Sequence, residues 1–169
     1  MSIDRKALLV HIRRNFALDW RGIHGAPHWG RVLDNGLRLA ELTGARVEVV
    51  ELFAFLHDAR RLDDGADPAH GHRAADLALQ LQGHTFEIES SSLDLLVAAC
   101  RGHSDGMTEA DTTVQTCWDA DRLDLGRVGK VPDPRRLCTP AARERGLIEW
   151  AYRRSLGQPS SFHHVTRYG

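Results

Sequence analysis

The chain has 169 residues, of which 22 are Lys or Arg, 23 are Asp or Glu and ten are His. This balance excludes the strongly basic surface with which proteins bind a nucleic-acid duplex, and no stretch approaches the roughly 18 consecutive apolar residues of a membrane-spanning helix. The length fits one domain with a sizeable core. We therefore expect a single domain over residues 1–157 and neither nucleic-acid duplex nor membrane as a partner. The oligomeric state is left open.

Hydrophobic spacing predicts helices along the chain and no convincing strand. Residues 47–50 could form a short strand, but their continuation into a longer apolar period favours helix. Asp67 with Pro68 is expected to start the fourth helix, Ser91 or Ser92 to cap the fifth and Thr108 to cap the sixth. In chain order the predicted helices span about 4–17, 27–43, 45–62, 68–81, 92–100, 108–121 and 139–156. The predicted fold class is all-α, a helical bundle, with a loosely ordered tail over residues 158–169.

Cysteine usage and the first residues of the chain bear on the compartment. The three cysteines, Cys100, Cys117 and Cys138, are an odd number without metal-finger spacing, and they suit reduced core positions. The N-terminus lacks the apolar segment of a signal peptide. These features predict a cytoplasmic protein.

His57 and Asp58 follow the apolar stripe of the third helix, which includes Phe53 and Leu56. A buried imidazole beside a buried carboxylate costs several kcal/mol unless both groups find partners. A divalent cation satisfies both groups in one coordination shell. The pair therefore indicates a metal site between helices.

Other residues of ligand type also lie at helix ends or on apolar stripes. A lone histidine in such a place is more often a core residue with an ordinary hydrogen bond. Six in five segments, including two carboxylates, are hard to satisfy separately and favour metal binding. The candidate metal ligands are His28, His57, Asp58, His70, His103 and Asp121.

The order His28, then His57 with Asp58, then Asp121, in the contexts HWGRV and DADRLD, resembles the HD-domain metal-dependent phosphohydrolase superfamily. The resemblance covers about residues 26–126. It implies an HD-domain helical bundle in which these four residues hold one divalent ion.

Two further histidines are similar to those of the superfamily members that bind two ions. His70, in HGHRAA, and His103, in RGHSDG, lie between the His-Asp pair and the last aspartate. The resemblance thus implies one or two ions, with Asp58, His70 and His103 as the catalytic residues. His72 competes with His70 but cannot share its helical face, so we assign it to solvent or to substrate contact.

Other side chains are candidates for the substrate. His24 precedes the first ligand and could reach a bound phosphate, while Arg31, Arg122 and Lys130 could pair with phosphoryl oxygens. Each arginine or lysine has an alternative as a plain surface charge. Members that act on deoxynucleoside monophosphates often carry a Glu soon after the His-Asp pair, and here the sequence is ARRLDD, which leaves the general acid and the exact substrate open.

The predicted function is hydrolysis of a phosphate ester or anhydride in a small nucleotide or related phosphometabolite by a metal-bound hydroxide. Mixed imidazole and carboxylate ligands favour manganese or iron, with nickel, cobalt, zinc or magnesium as alternatives. Two other functions remain open. One is a di-iron oxygenase on the same ligands, and the other is a non-catalytic module that senses a nucleotide and binds a metal.

Overall fold

The computed structural model describes residues 1–158, and in that range it contains seven α-helices and two very short strands. The helices are α1 Arg5–Asn15, α2 Ala26–Thr43, α3 Val47–Leu56, α4 His70–Leu81, α5 Ser90–Gly102, α6 Thr112–Arg122 and α7 Arg145–Ser155. The strands, β1 Ser2–Ile3 and β2 Phe86–Glu87, pair antiparallel. Short 3-10 turns cover Leu125–Val128 and Pro134–Arg136. The prediction of an all-α helical bundle is confirmed. The strand pair was missed because two residues are too few to show alternation.

Helix α3 occupies the centre of the bundle, with α2, α4, α5 and α6 packed against it. Its sequence, VEVVELFAFL, is almost wholly apolar, so the helix can be covered on most of its circumference. Burying each large apolar side chain contributes about 1.5–3 kcal/mol. Of its two glutamates, Glu48 accepts a hydrogen bond from Ser92, and Glu51, which is 7% exposed, pairs with Arg5 of α1. The ends of α3 are therefore held at fixed positions inside the bundle.

The predicted ends of α2 are confirmed, and those of α3 are partly wrong. Pro27 lies in the first turn of α2, and Gly44 ends it in the left-handed conformation with its N–H bonded to the Ala40 carbonyl. Helix α3 ends at Leu56 instead of continuing to residue 62. His57 is consequently the first residue after the helix, where its backbone still bonds to the carbonyl of Phe53.

Three predicted helix starts are wrong. Helix α4 begins at His70, because the Asp67 carboxylate accepts the Leu62 N–H and pairs with Arg73 instead of capping the helix. Helix α5 begins at Ser90, so Ser91 and Ser92 lie inside it. Helix α6 is capped by Asp111 and not by Thr108. At α4 and α6 the side chain that decides the start lies within a few residues of it, and the sequence offers several capping residues there without showing which one is used.

The last helix begins at Arg145, six residues later than predicted. The buried carboxylate of Asp119 accepts the backbone N–H groups of Cys138 and Thr139, at 2.6 and 2.8 Å, and fixes the chain there in a non-helical conformation. Helix α7 then packs against α2 and the turn Leu125–Val128.

Residues 1–158 contain no helix with the length and apolar character needed to cross a membrane. The three cysteines are buried free thiols. Of the predicted tail, only Gln158 belongs to the described residues, and 159–169 lie outside them.

Candidate metal centre

All six predicted ligands lie at or near helix ends that face one point of the bundle. Each end supplies a side chain whose backbone is held by the helix while its tip is free to point inward. His28 lies in the first turn of α2, His57 and Asp58 directly follow α3, His70 begins α4, His103 directly follows α5, and Asp121 lies in the last turn of α6.

Asp58 lies between two pairs of histidines. Its Oδ2 is 3.6 Å from His28 Nε2 and 3.7 Å from His57 Nε2. Its Oδ1 is 3.4 Å from His70 Nε2 and 3.8 Å from His103 Nε2. Among the described residues, these donors form two groups that could each hold a metal ion, and Asp58 belongs to both.

Asp121 adds a second carboxylate to the group of His28 and His57, which we call the inner half of the site. Its Oδ1 is 3.4 Å from His28 Nε2 and 3.9 Å from His57 Nε2. The two histidine Nε2 atoms are 3.0 Å apart. Four donors from three segments therefore surround one point. The pair His70 and His103, whose Nε2 atoms are 2.8 Å apart, forms the outer half with Asp58.

The tautomers of the four histidines follow from their other ring nitrogen. His28 Nδ1 is 2.6 Å from Asp124 Oδ2, and His57, His70 and His103 place Nδ1 against the backbone carbonyls of Phe53, Asp67 and Cys100. These oxygens only accept, so each Nδ1 is the donor and each neutral ring presents a bare lone pair at Nε2.

Facing lone pairs at 2.8 and 3.0 Å repel one another unless a cation lies against them. The Oδ1 atom of Asp58 gives a second sign of the same need, because it is buried and has no hydrogen-bond partner within residues 1–158. The donor set of imidazole nitrogens and carboxylate oxygens suits a divalent transition metal. These residues therefore fit the metal that the sequence predicted.

The aspartates of the site are ionised, and the pKa values of its histidines shift in both directions, because neighbouring aspartates outweigh burial and raise the pKa of His28 and His103. Burial lowers the pKa of His57 to about 3, so the ring is neutral at ordinary pH. Burial alone would raise the pKa of Asp58, but the charges of its histidine neighbours, His57 foremost, hold it well below the usual value. Burial alone would also raise the pKa of Asp121, but the histidines and the arginine beside it outweigh burial and lower that pKa. The centre thus keeps two negative charges and attracts a cation.

Asp124 was not predicted, and it supports the inner half from behind. It is 1% exposed, and besides His28 it binds Arg31, whose Nε and Nη2 lie 2.6 and 3.1 Å from its two oxygens. Arg31, a predicted substrate residue, is thus engaged with this carboxylate. The spacing could have indicated the contact, because Arg31 follows His28 by three residues and Asp124 follows Asp121 by three.

Two more arginines border the centre and were also not predicted. Arg61 Nη1 is 3.5 Å from Asp58 Oδ1 and 3.1 Å from His70 Nε2, while the rest of its guanidinium donates to the carbonyls of residues 63 and 65. Arg127 Nη2 is 3.8 Å from Asp121 Oδ1. Arg61 follows Asp58 by three residues within the predicted third helix, which could have indicated its contact, whereas the sequence carries no such signal for the approach of Arg127 to Asp121.

A cavity of about 560 Å³ opens over the outer half of the site, and we call it the metal cavity. Asp58, His70, His103 and Asp121 contribute to its wall, together with both arginines and His24. His28 and His57 lie beneath this wall and are 0% exposed. A small molecule can therefore reach the outer half and Asp121 directly.

The predicted substrate residues lie at different distances from this cavity. His24 is buried in its wall, with Nδ1 2.8 Å from Asp64 Oδ1. Arg122 and Lys130 line an adjoining cavity instead. His72 is exposed on α4 and lines neither cavity.

Comparison with known proteins supports the same fold. No protein-family model and no curated protein matches the chain. Its structure is similar to the crystal structure of a predicted HD superfamily hydrolase from an uncultured Thermotogales bacterium, with a TM-score of 0.67 and 25% sequence identity. The match covers 92% of this chain and 88% of that one. The histidine and aspartate cluster fits a metal site of that superfamily.

Proposed function

From an HD-superfamily fold and a histidine–aspartate cluster that fits this superfamily's metal site, we propose that the chain is a metal-dependent phosphohydrolase. Its substrate is a small nucleotide or a related phosphometabolite, and the bond cleaved is a phosphate ester or anhydride. Hydrolase activity in general has the support of the structural neighbour. The phosphorus chemistry and the substrate class are supported by the position of Asp58 and by the side chains that surround the metal centre.

The position of Asp58 carries the proposal. Its two oxygens face two different pairs of histidine Nε2 atoms at 3.4–3.8 Å, so Asp58 would contribute to the binding of each of two ions. His28, His57, Asp58 and Asp121 would hold one ion, and Asp58, His70 and His103 the other. Such ions, when bound, activate water at neutral pH and polarise a phosphoryl oxygen. A site with a purely structural role would need only one ion, with all of its coordination positions filled by protein ligands. This site instead borders a cavity that a small molecule can enter.

The surrounding side chains suit an anionic substrate. Arg61 lies beside Asp58 and Arg127 beside Asp121, and both line the metal cavity. A phosphoryl group in this cavity would have two guanidinium groups in the wall around it, and hydrogen bonds between guanidinium and phosphate are among the strongest in proteins. Arg61 is anchored to two backbone carbonyls, so little side-chain entropy is lost when it binds.

His24 is the group best placed to move a proton. It is buried in the cavity wall, and the Asp64 carboxylate fixes Nδ1 as the donor, so that Nε2 presents a lone pair. Nε2 would first take a proton from water, and His24 would then pass that proton to the leaving oxygen. Asp64, on a loop, would orient the ring.

A phosphate-release screen tests the proposal. The protein is purified without added metal, its metal content is measured by elemental analysis, and nucleoside mono-, di- and triphosphates, dinucleoside polyphosphates and cyclic dinucleotides are offered with Mn²⁺, Fe²⁺, Ni²⁺, Co²⁺, Zn²⁺ or Mg²⁺. We expect the purified protein to contain manganese or iron. We also expect it to release phosphate from at least one substrate under anaerobic conditions. Oxygen consumption in place of anaerobic hydrolysis would contradict the proposal. So would ligand-dependent thermal stabilisation with no turnover of any substrate.

A further inference from the structure

A second cavity, of about 720 Å³, adjoins the metal cavity, and we call it the outer cavity. The two share His103, Ser104, Asp121 and Leu125 along their common border. Each is large enough by itself for a small ligand, since ligand pockets run from about 300 to 1,000 Å³. A single phosphate over the metal centre would occupy only part of this space. The cleft therefore fits a substrate with two separate parts.

The outer cavity has excess positive charge. Arg122, Lys130 and Arg136 lie in its wall. Arg122 already donates to the carbonyls of Met107 and Arg136, at 2.6 and 2.9 Å, so its guanidinium serves mainly to hold the wall in place. Lys130 and Arg136 are exposed, and within residues 1–158 neither side chain forms an ion pair closer than 4 Å. Two cations are thus available to a ligand.

The acidic residues of the same wall do not cancel these cations. Asp133 is turned toward Arg135, whose Nη2 and Nε lie 2.9 and 3.1 Å from its oxygens. Asp121 belongs to the metal centre, where His28 and Arg127 face it. The remaining charge on the far side of the outer cavity is therefore positive, and its ligand is an anion.

We propose that the outer cavity is a second substrate site, in which Lys130 and Arg136 bind a distal phosphate that does not react. This inference rests on the proposed function, because the reacting phosphate is assigned to the metal cavity. Apolar side chains of the wall, among them Val131 and Leu137, would cover the part of the substrate between its two phosphates. The preferred substrate is then a compound phosphorylated at two positions, and a simple monoester is a poor one.

The test compares two probes that differ by one phosphate, adenosine 5′-monophosphate and adenosine 3′,5′-bisphosphate. In the native protein we expect the bisphosphate to have the higher kcat/KM. In a K130A/R136A double variant its kcat/KM should fall about tenfold, through KM, since a charged hydrogen bond to phosphate contributes that much or more. The monophosphate value should stay within about twofold, because it does not reach these residues. The Arg136 carbonyl that holds Arg122 is kept in the variant, so the wall is retained.

A K6A/R14A variant is the matched control, since it removes one lysine and one arginine from exposed positions of α1 that line neither cavity. It should leave both probes unchanged. If K130A/R136A slows both probes equally, or neither, the second site is disproved.

Calorimetric binding of the same two probes separates this inference from the proposed function. Tighter binding of the bisphosphate that is lost in K130A/R136A, without turnover of any substrate, would support the second site and overturn the phosphohydrolase. Turnover without any discrimination between the two probes would support the phosphohydrolase and overturn the second site. If there is neither turnover nor tighter binding of the bisphosphate, both the phosphohydrolase and the second site are overturned.

Discussion

The inner and outer halves of the metal centre use the same ligand types but are supported differently. In the inner half, His28 is held by the buried carboxylate of Asp124, which Arg31 holds in turn. In the outer half, the Nδ1 atoms of His70 and His103 are held by backbone carbonyls, and in the described part of the chain no carboxylate lies behind either ring. The inner histidines are fully buried, whereas the outer ones border the metal cavity.

Because they are supported differently, the two halves should differ in metal affinity and in their contact with the substrate. A carboxylate behind a ligating imidazole raises its basicity and fixes its orientation, so the inner half should bind its ion more tightly. A neutral carbonyl orients the ring without adding charge. The outer half should therefore bind more weakly, exchange its ion more readily and carry the contact with substrate. Four variants can break or sharpen this comparison.

Asp58→Asn should have the largest effect, because Asp58 is the one residue that both halves share. Loss of its negative charge leaves lone pairs facing one another in each half. We expect a fall in activity of more than about 100-fold, beyond what loss of a supporting residue costs, together with loss of both ions. Elemental analysis and a phosphate-release assay measure the two effects. Full metal content in this variant would contradict the bridging role.

Asp124→Asn should weaken the inner half alone. The amide oxygen can still accept from His28 Nδ1, but the charge is lost and Arg31 loses its partner. We expect metal affinity at the tighter site to fall by about 10–100-fold, which metal titration followed by calorimetry would measure.

The matched control is Asp119→Asn, at a buried carboxylate of α6 five residues before Asp124. Asp119 is equally buried but binds Cys138 and Thr139 instead of a ligand, so this variant should unfold at a lower temperature with unchanged metal affinity. Equal losses of metal affinity in the two variants would refute the supporting role of Asp124.

Gly71→Ala should disturb the outer half through packing. Helices α4 and α5 approach closely there, and an added Cβ would lie 2.6 Å from the Cys100 carbonyl oxygen and 3.4 Å from His103 Nδ1. We expect destabilisation by about 1–3 kcal/mol, measured by urea unfolding, and loss of the weaker ion before the tighter one.

Gly30→Ala on α2 is its control, since nothing lies within 4 Å of the added Cβ. Alanine is the better helix former by about 0.5–1 kcal/mol, so this variant should be slightly more stable and keep both ions. A greater loss of stability in Gly30→Ala than in Gly71→Ala would contradict the packing argument.

His72→Ala should have the smallest effect. The side chain is exposed on α4 and borders neither cavity, although it lies only two residues from His70. We expect metal content and kcat/KM within about twofold of the native values, because surface substitutions away from a site are usually neutral. His70→Ala, measured in parallel, should lose the outer ion. Loss of metal in His72→Ala would make His72 a metal ligand. A lower kcat/KM with full metal content would instead support the predicted contact between His72 and the substrate.

The sequence predicted the helices better than their ends. Apolar periodicity located every helix, and the Gly44 signal was correct because a left-handed C-terminal residue is a local property. The predicted starts of α4 and α6 were wrong because more than one nearby residue could cap each helix, and Asp67 and Asp111 form local hydrogen bonds that select another start. The predicted start of α7 was wrong because Asp119, 19 residues earlier in the sequence, accepts the Cys138 N–H.

By itself the sequence determined the fold class and a set of candidate ligands that the structure brings together, because burial of polar side chains on apolar stripes is costly enough to need a common explanation. Only the tertiary structure decided how those ligands divide between two halves, which nitrogen each ring presents, and that Arg61, Asp124 and Arg127 stand beside them. The physical reason is the sequence separation between the groups that interact. Helix formation depends on neighbours a few residues away, whereas the charges and orientations of a site depend on groups as much as 96 residues apart, as His28 and Asp124 are.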